Sequence, residues 1–317
     1  MAGTPAPPFL VPLEELRQRL AEAERPGGPG SRAEVGRQRA QLEEEARRVT
    51  ENLSPWQQCQ LARHADRPYC LDYIRGLFTD WVEIHGDRGF ADDPAIVAGL
   101  ARFEGESVAV VGHQKGRDTR ERLYRNFGQA RPEGYRKALR VMRMGEKFGL
   151  PIISLVDTQG AYPGIDAEER GQAEAIARNL REMASITVPI VVVVTGEGGS
   201  GGALAIGIGD RVLMMEHAIY SVISPEGCAA ILWKDQTEVQ RAASALRLTA
   251  QNLLELAVID EIIPEPLGGA QMDPNLAIRT VGTAIRKALA ELRRIKREEL
   301  PRRRFAKFRA MGQFVER

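Results

Sequence analysis

Cysteine is scarce in this chain: Cys59, Cys70 and Cys228 are the only three among 317 residues, odd in number and widely spaced. Such a set supports neither a disulfide framework nor a C-x-x-C zinc pair, so no metal ligands are expected here. Long apolar runs are missing too, with nothing near the roughly 20 residues of a membrane span. Neither charge sign dominates, with 44 basic against 43 acidic side chains. No overall field toward nucleic acid or membrane follows. The N-terminal MAGTPAPPFLVPLEEL lacks the basic and apolar regions of a secretory signal, and a cytoplasmic location is the expectation. What is present is 43% hydrophobic residues, enough for one large core or two modest ones.

The chain is organised around PIVVVVTGEGGSGGALAIGIGD, residues 189–210. The β-branched run Ile190 to Thr195 reads as a strand buried on both faces. Five glycines then fall within seven residues, at 196, 198, 199, 201 and 202. Ala203 to Ile208 follows as the start of a buried helix. Glycine lets a ligand approach the backbone, and the first N–H groups of a helix lack intrahelical partners and favour negative charge. A strand–glycine–helix junction therefore suits a phosphate or a developing oxyanion.

Known devices test this against the letters. A P-loop needs Lys after its last glycine, where Gly202 stands. The dinucleotide fingerprint is literally present at Gly196, Gly198 and Gly201, with Glu216 near the ribose-binding distance, but Glu197 would put the wrong charge in the cradle. The nucleophile elbow G-x-S-x-G is present around Ser200, but its only later His, His217, follows too closely. An oxyanion hole of glycine amides is the reading that remains best supported. The alternative is a tight turn where helix meets sheet.

Elsewhere, residues 1–12 are proline-rich and read as loosely held, with a helix from Leu13 to Ala23. RPGGPGS is a break, and Ala33 to Thr50 reads as a solvated helical arm. Ser54, Pro55 and Gln57 form a capping box. Leu71 begins a helix through Trp81. Ile96–Phe103 and Ser107–Gly112 form a hairpin. Arg120, Arg122 and Arg125 read equally as surface cations or as phosphate contacts. Helices are expected over Pro132–Phe148, stopped by Gly149, and over Ala167–Ile186, with Ala173, Ile176, Ala177, Leu180 and Met183 inward. A strand ending at Val156 leads into the loop Asp157 to Gly164. Ser224 and Thr249 begin further helices. Pro274 to Glu299 is a last long helix with a basic, solvated tail. The alternation is α/β but not an even βαβ series. Strand–strand–helix units suggest a spiral of two packed sheets.

The segments RPYCLDYI, HGDRGFADDPAIVAGLARF, GHQKGRDTRERLYRNF, RPEGYRKALR, DTQGAYPG, AEERGQAEAIARNLREM, EGGSGGALAIGIGDRVLM, YSVISPEGCAAILWK and VIDEIIPEPLGGA together resemble one family. It is the α subunit of the carboxyltransferase of bacterial acetyl-CoA carboxylase. The resemblance is nearly continuous from Pro55 to Gly269. It implies a crotonase-like (ClpP/crotonase) ββα spiral spanning residues 54–270. A helical, partly flexible N-terminal arm (1–53) and a C-terminal helix with basic tail (271–317) flank it.

The resemblance further implies a heterotetramer of two α and two β subunits, with a zinc ribbon in the β subunit only. It implies work with a biotin carboxyl carrier protein and biotin carboxylase, without membrane or nucleic acid. The reaction would carry a carboxyl group from carboxybiotin on the carrier protein to acetyl-CoA, giving malonyl-CoA for fatty acid biosynthesis. No covalently bound cofactor is expected on this chain. The Gly201 and Gly202 amides match the family's oxyanion pair and are the expected catalytic groups, serving the biotin ureido oxygen. Gly198 and Gly199 are expected to bind substrate, as are Gly160, Ala161, Tyr162, Pro163 and Gly164 in the facing wall, and Lys115 and Arg117. The biotin nitrogen can act as the base, which accounts for the lack of a His or Glu dyad. Gln159 stands where the family usually has Pro, and restores an N–H and a free φ. Cys70 stands for the usual Thr and Asp166 for the usual Gly, both read as tolerated. His85, His113 and Glu197 read as satisfied structural residues, with support of the site from behind as the alternative. Two rival readings remain: a self-sufficient crotonase-type hydratase or isomerase, and an RNA- or partner-binding surface built on the basic segments.

Overall fold

The β-branched run at 190–194 becomes the middle of the sheet, because side chains on both faces of a strand can be branched and apolar only where both faces are covered. The computed structural model describes residues 7–25 and 31–312. Eight strands are β1 (Phe78–Glu83), β2 (Ile96–Phe103), β3 (Glu106–His113), β4 (Ile152–Thr158), β5 (Ile190–Gly199), β6 (Arg211–Met215), β7 (Ile219–Ser221) and β8 (Glu261–Ile263). They hydrogen-bond in the order β1-β2-β3-β4-β5-β6-β8, with β7 on β5. The first three are antiparallel and the rest run parallel.

Helices fill the connections. The chain order is α1 (Val11–Ala23), α2 (Arg32–Glu51), α3 (Pro55–Ala62), α4 (Cys70–Leu77), α5 (Thr119–Tyr124), α6 (Pro132–Phe148), α7 (Ile165–Glu169) and α8 (Gln172–Ser185). It continues with α9 (Ser200–Leu204), α10 (Pro225–Leu232), α11 (Val239–Leu246), α12 (Ala250–Glu255), α13 (Pro274–Leu292) and α14 (Leu300–Arg309).

The sheet forks along β5. Residues 191–194 pair with β6, whereas 197–199 pair with β7. All eight strands are thus joined in one forked sheet, where the sequence suggested two packed sheets. Local signals account for much of the rest. The β2–β3 hairpin turns on Glu104 and Gly105, both at positive φ, as a tight two-residue turn requires. Ser54 and Gln57 make the reciprocal capping box of α3, and Gly149 ends α6 in the left-handed region.

Several expectations are corrected. The helix expected through Trp81 stops at Leu77: Phe78 instead begins an edge strand paired with β2, its ring 5.5 Å from that of Phe103. The helix expected over 167–186 is broken at Gly171, whose φ is +81°. Its buried residues are Gln172, Ala175, Asn179 and Met183, whereas Ala173 and Ala177 are exposed. The last helix ends at Leu292, and Pro301 opens a separate α14.

The tail of that helix is not uniformly solvated. Arg304 is fully buried against Asp210, 2.8 Å away. The start is more ordered than its prolines suggest, since Leu10 is buried and α1 begins at Val11. The arm is not simply solvated either, because Leu10, Leu13 and Ala46 pack on Leu61. Residues 1–6, most of the RPGGPGS break and residues 313–317 lie outside the described residues.

Candidate active site

The glycine segment is tighter than its letters suggest. β5 runs on through Gly199 instead of ending at Thr195, and α9 starts at the next residue. The reversal falls on Ser200, a non-glycine residue at φ +49°. This conformation costs an L-residue about 1–2 kcal/mol and is kept because both flanking elements demand it. The glycines permit close approach to the end of β4. A Cβ on Gly199 would lie 2.0 Å from the Gln159 carbonyl oxygen, and one on Gly202 would lie 2.5 Å from the carbonyl carbon of Gly160.

Gly201 and Gly202 are the second and third residues of α9, so their N–H groups have no intrahelical acceptor. No side chain caps the helix, and among the described residues no backbone oxygen outside the ladders accepts from them. Gly202 is buried and Gly201 half-buried. The aligned peptides of the turn add positive potential there. Two bare amides on a rigid strand–helix junction can hold one oxyanion.

The facing loop is held by its own bonds. Thr158 Oγ1 donates to the Gly160 carbonyl at 2.8 Å and accepts from the Gly160 N–H at 3.1 Å. The Tyr162 N–H donates to the Ala130 carbonyl at 3.0 Å. Gln172 Nε2 donates to both the Ala130 and Tyr162 carbonyls. The half-buried Tyr162 ring lies under the Arg131 guanidinium and covers Gly164. Ala161 is half-buried, Pro163 is exposed, and the next side chain, Ile165, is 76% exposed. Gln159 is exposed, and it presses its carbonyl against Gly199.

Behind the junction lies a buried ionic cluster. The Lys115 ammonium sits 2.7 Å from Asp157 and 3.2 Å from Glu197. Arg63 bonds Glu197 at 2.6 Å and Glu226 at 2.5 Å. Asp157 also accepts the Glu197 N–H at 2.9 Å, tying the end of β4 to β5. Burial pushes the Glu197 carboxyl up, but Lys115 and Arg63 outweigh it and hold it below the usual carboxylate range. Burial lowers the Lys115 pKa, yet Asp157 and Glu197 raise it above the ordinary lysine value. Both groups stay charged and paired.

The cluster gives Glu197 the structural role read from the sequence. It also shows that Lys115 is engaged by two carboxylates. Arg117 is engaged too, donating to the Ala65 carbonyl at 2.6 Å, pairing with Asp72 and stacking on Tyr69. Of the three nearby arginines, Arg122 and Arg125 donate to the Gly116 and Pro94 carbonyls, and Arg120 is exposed. His85 pairs with Asp92 at 3.0 Å. Ser200 has an elbow-like backbone, but no histidine among the described residues hydrogen-bonds its hydroxyl.

Sequence reading missed Ser154, Asn179 and Gln172. Asn179 and Gln172 sit seven apart on the buried side of α8, one holding α9 and the other the Tyr162 loop. The available signal was a polar residue recurring on an otherwise apolar helical stripe. Among the described residues, no group of three or more His, Cys, Asp or Glu could hold a metal ion, and no helix is long and apolar enough to cross a membrane.

Comparisons with known proteins point to one family. The family model for acetyl co-enzyme A carboxylase carboxyltransferase-like proteins matches residues 8–312. A Geobacter sulfurreducens protein named acetyl-coenzyme A carboxylase carboxyl transferase subunit alpha is 64% identical over 268 residues, 84% of each chain. A Thermus thermophilus protein of the same name is 53% identical over 311 residues, 97% of this chain and 98% of its own. Among solved structures, a transcarboxylase 12S chain aligns with a TM-score of 0.56 at 22% identity, over 71% of this chain and 42% of that one. A Pseudomonas malonate decarboxylase hetero-dimer aligns with a TM-score of 0.56 at 17% identity, over 68% of this chain and 89% of that one. These structures support the crotonase-like fold, and the sequence matches carry the family. The chain belongs to the acetyl co-enzyme A carboxylase carboxyltransferase-like family.

Proposed function

We propose that this chain is the α subunit of the carboxyltransferase of acetyl-CoA carboxylase. It would move a carboxyl group from carboxybiotin on a carrier protein to the methyl carbon of acetyl-CoA, giving malonyl-CoA for fatty acid biosynthesis. Near-full-length identity to proteins of that name supports the reaction. The bare amide pair at the head of α9 is the observation that carries the site. Loss of the carboxyl group from carboxybiotin leaves negative charge on its ureido oxygen, and the Gly201 and Gly202 amides receive that charge. One such preorganised donor is typically worth about 10²- to 10³-fold in rate. The uncovered biotin nitrogen takes the proton from acetyl-CoA, and the resulting enolate attacks the released carboxyl group. Gly198 and Gly199 shape the floor. Gly160 to Gly164 form the wall, where Tyr162 and Pro163 exclude water.

Lys115 and Arg117 act here through placement, Lys115 by setting the β4–β5 end and Arg117 by fixing the loop before α4. Glu197 and Asp157, the buried carboxylates beside the junction, are already paired with Arg63 and Lys115, which favours a site completed by a second protein over a self-sufficient hydratase. Exposed apolar side chains support that arrangement: Ile165 follows the wall, and Val222 follows the strand paired with Gly199. The second protein is the β subunit, which supplies the enolate hole and carries the zinc. The complex works with biotin carboxyl carrier protein and biotin carboxylase in the cytoplasm.

The test is reconstitution. The chain alone should be inactive, and with a matching β subunit it should transfer carboxyl from malonyl-CoA to a biotin analogue. Gly201→Val should abolish turnover without dissociating the complex. A Cβ there makes ordinary contact with the Ile176 side chain at 3.4 Å, and the two further methyl groups of Val would crowd the half-buried head of α9. Normal turnover by that variant would remove Gly201 from the site.

A further inference from the structure

α10 has the sequence PEGCAAIL and is apolar all round beyond its first turn. A helix of that kind is covered on every side, yet this chain covers only one. Cys228 and Ala229 pack on Ala242 of α11, whereas Ala230, Ile231 and Leu232 are exposed. Val222, just ahead of the helix, is exposed as well. It follows Ser221, the partner of Gly199 in β7, so the bare side begins next to the strand end that leads into α9.

The same helix starts a line of charges that ends behind the amide pair. Glu226, in the first turn of α10, accepts from Arg63 on both oxygens, at 2.5 and 3.3 Å. Arg63 also reaches Glu197 at 2.6 Å, and Lys115 joins Glu197 to Asp157 at 3.2 and 2.7 Å. Exposure rises outward along this line: 4% for the Glu197 side chain, 22% for Arg63 and 45% for Glu226. Three carboxylates stand against two cations, which leaves one negative charge unmatched. Glu197 holds both cations and Asp157 holds Lys115, so the deficit falls on Glu226, which only shares Arg63. Among the described residues no second cation pairs with it. Burial pushes the Glu226 carboxyl up, but Arg63 outweighs it and holds it below the usual carboxylate range. An apolar cover alone would strand that charge, so a protein seated on α10 has to bring a cation with it.

We propose that the β subunit seats on the exposed side of α10, packs on Ile231 and Leu232, and gives a basic side chain to the free side of the Glu226 carboxylate. Glu226 is then a positioning residue. The added cation balances the line and fixes Arg63 against Glu197, three residues ahead of Ser200, so the head of α9 is held in its working aim only in the assembled enzyme. The inference rests on the reading of this chain as a subunit whose site a second protein completes.

The test compares variants in binding to the β subunit, and in carboxyl transfer from malonyl-CoA to a biotin analogue at saturating β subunit. Ile231→Asp should leave the melting temperature of the free chain unchanged and weaken assembly by at least about tenfold, as loss of an interface anchor does. Glu226→Gln should weaken assembly about tenfold, the worth of a charged hydrogen bond. At saturating β subunit it should lower kcat about tenfold, with KM for malonyl-CoA changed by about twofold or less. In a Glu197→Gln background the same substitution should cost kcat about twofold or less, because its route to the amides is already cut. Wild-type assembly by Ile231→Asp or by Glu226→Gln would overturn the seating. An unchanged kcat in Glu226→Gln, or equal losses in both backgrounds, would overturn the positioning role. An inactive wild-type complex whose assembly still depends on both positions would count against carboxyl transfer and leave the surface standing. An active complex indifferent to both variants would do the reverse.

Discussion

Replacing Gly202 with Ala is the sharpest probe of the junction. The new Cβ would lie 2.5 Å from the Gly160 carbonyl carbon, 2.6 Å from the Ala161 nitrogen and 2.9 Å from the Gly160 oxygen. Ordinary contact begins near 3.4 Å, so about 0.9 Å of clearance must open between α9 and the loop. Neither side yields freely. Thr158 holds Gly160 from both its N–H and its carbonyl, and Asn179 and Ser154 hold the end of α9. All three nearest atoms are backbone, so no rotamer can absorb the strain. Overpacking of this kind costs about 1–3 kcal/mol, and a displacement near 1 Å at a catalytic group costs about 10²-fold in rate. The assay is carboxyl transfer from malonyl-CoA to a biotin analogue by the reconstituted complex, with the melting temperature recorded alongside. The variant should melt a few degrees lower, still assemble, and lose about 10²-fold in kcat. Turnover within twofold of wild type, in a complex of unchanged stability, would refute both the close approach and the role of the amides.

Two further outcomes follow from buried charge. Glu197→Gln removes a carboxylate bonded to Lys115 and Arg63 and should destabilise the chain by about 2 kcal/mol at neutral pH. The folded-state pKa of Glu197 is lowered, so its contribution is present above the unfolded value of about 4.3 and is lost as pH falls through the folded value. Urea unfolding of both proteins should show a gap that is constant above about pH 5 and narrows below it; a gap that widens on acidification would contradict this pairing. Arg304→Ala leaves Asp210 buried without its cation and frees the Met183, Ile186 and Val188 carbonyls. A loss of about 3–5 kcal/mol in denaturant unfolding is expected, and a change below about 1 kcal/mol would show that the pair is not closed in solution.

Much of the molecule is written in neighbouring residues. The run Ile190 to Val194 marks the central strand because β-branched side chains suit a strand covered on both faces. Ser54 and Gln57 cap a helix, Gly149 ends one, and Glu104 and Gly105 turn a hairpin, each through sterics or bonds within a few residues. The glycine cluster announces a place where backbone must come close to something. Family resemblance adds, on letters alone, the reading of that place as an oxyanion site.

Other features depend on which distant segments meet. Whether Phe78 continues a helix or starts an edge strand was decided by β2, not by its own neighbours. The extension of β5 through its glycines needs β7 beside it. Glu197, an awkward charge in a supposed anion cradle, becomes a neutralised brace once Arg63, 134 residues earlier, arrives. Arg304 leaves a basic tail for the interior because Asp210 waits there. Ser154 and Asn179 hold the carbonyls just past α9 for the same reason. Periodicity and capping act over a few residues and can be read in order. Pairing between buried polar groups depends on distances that exist only after the chain has closed on itself.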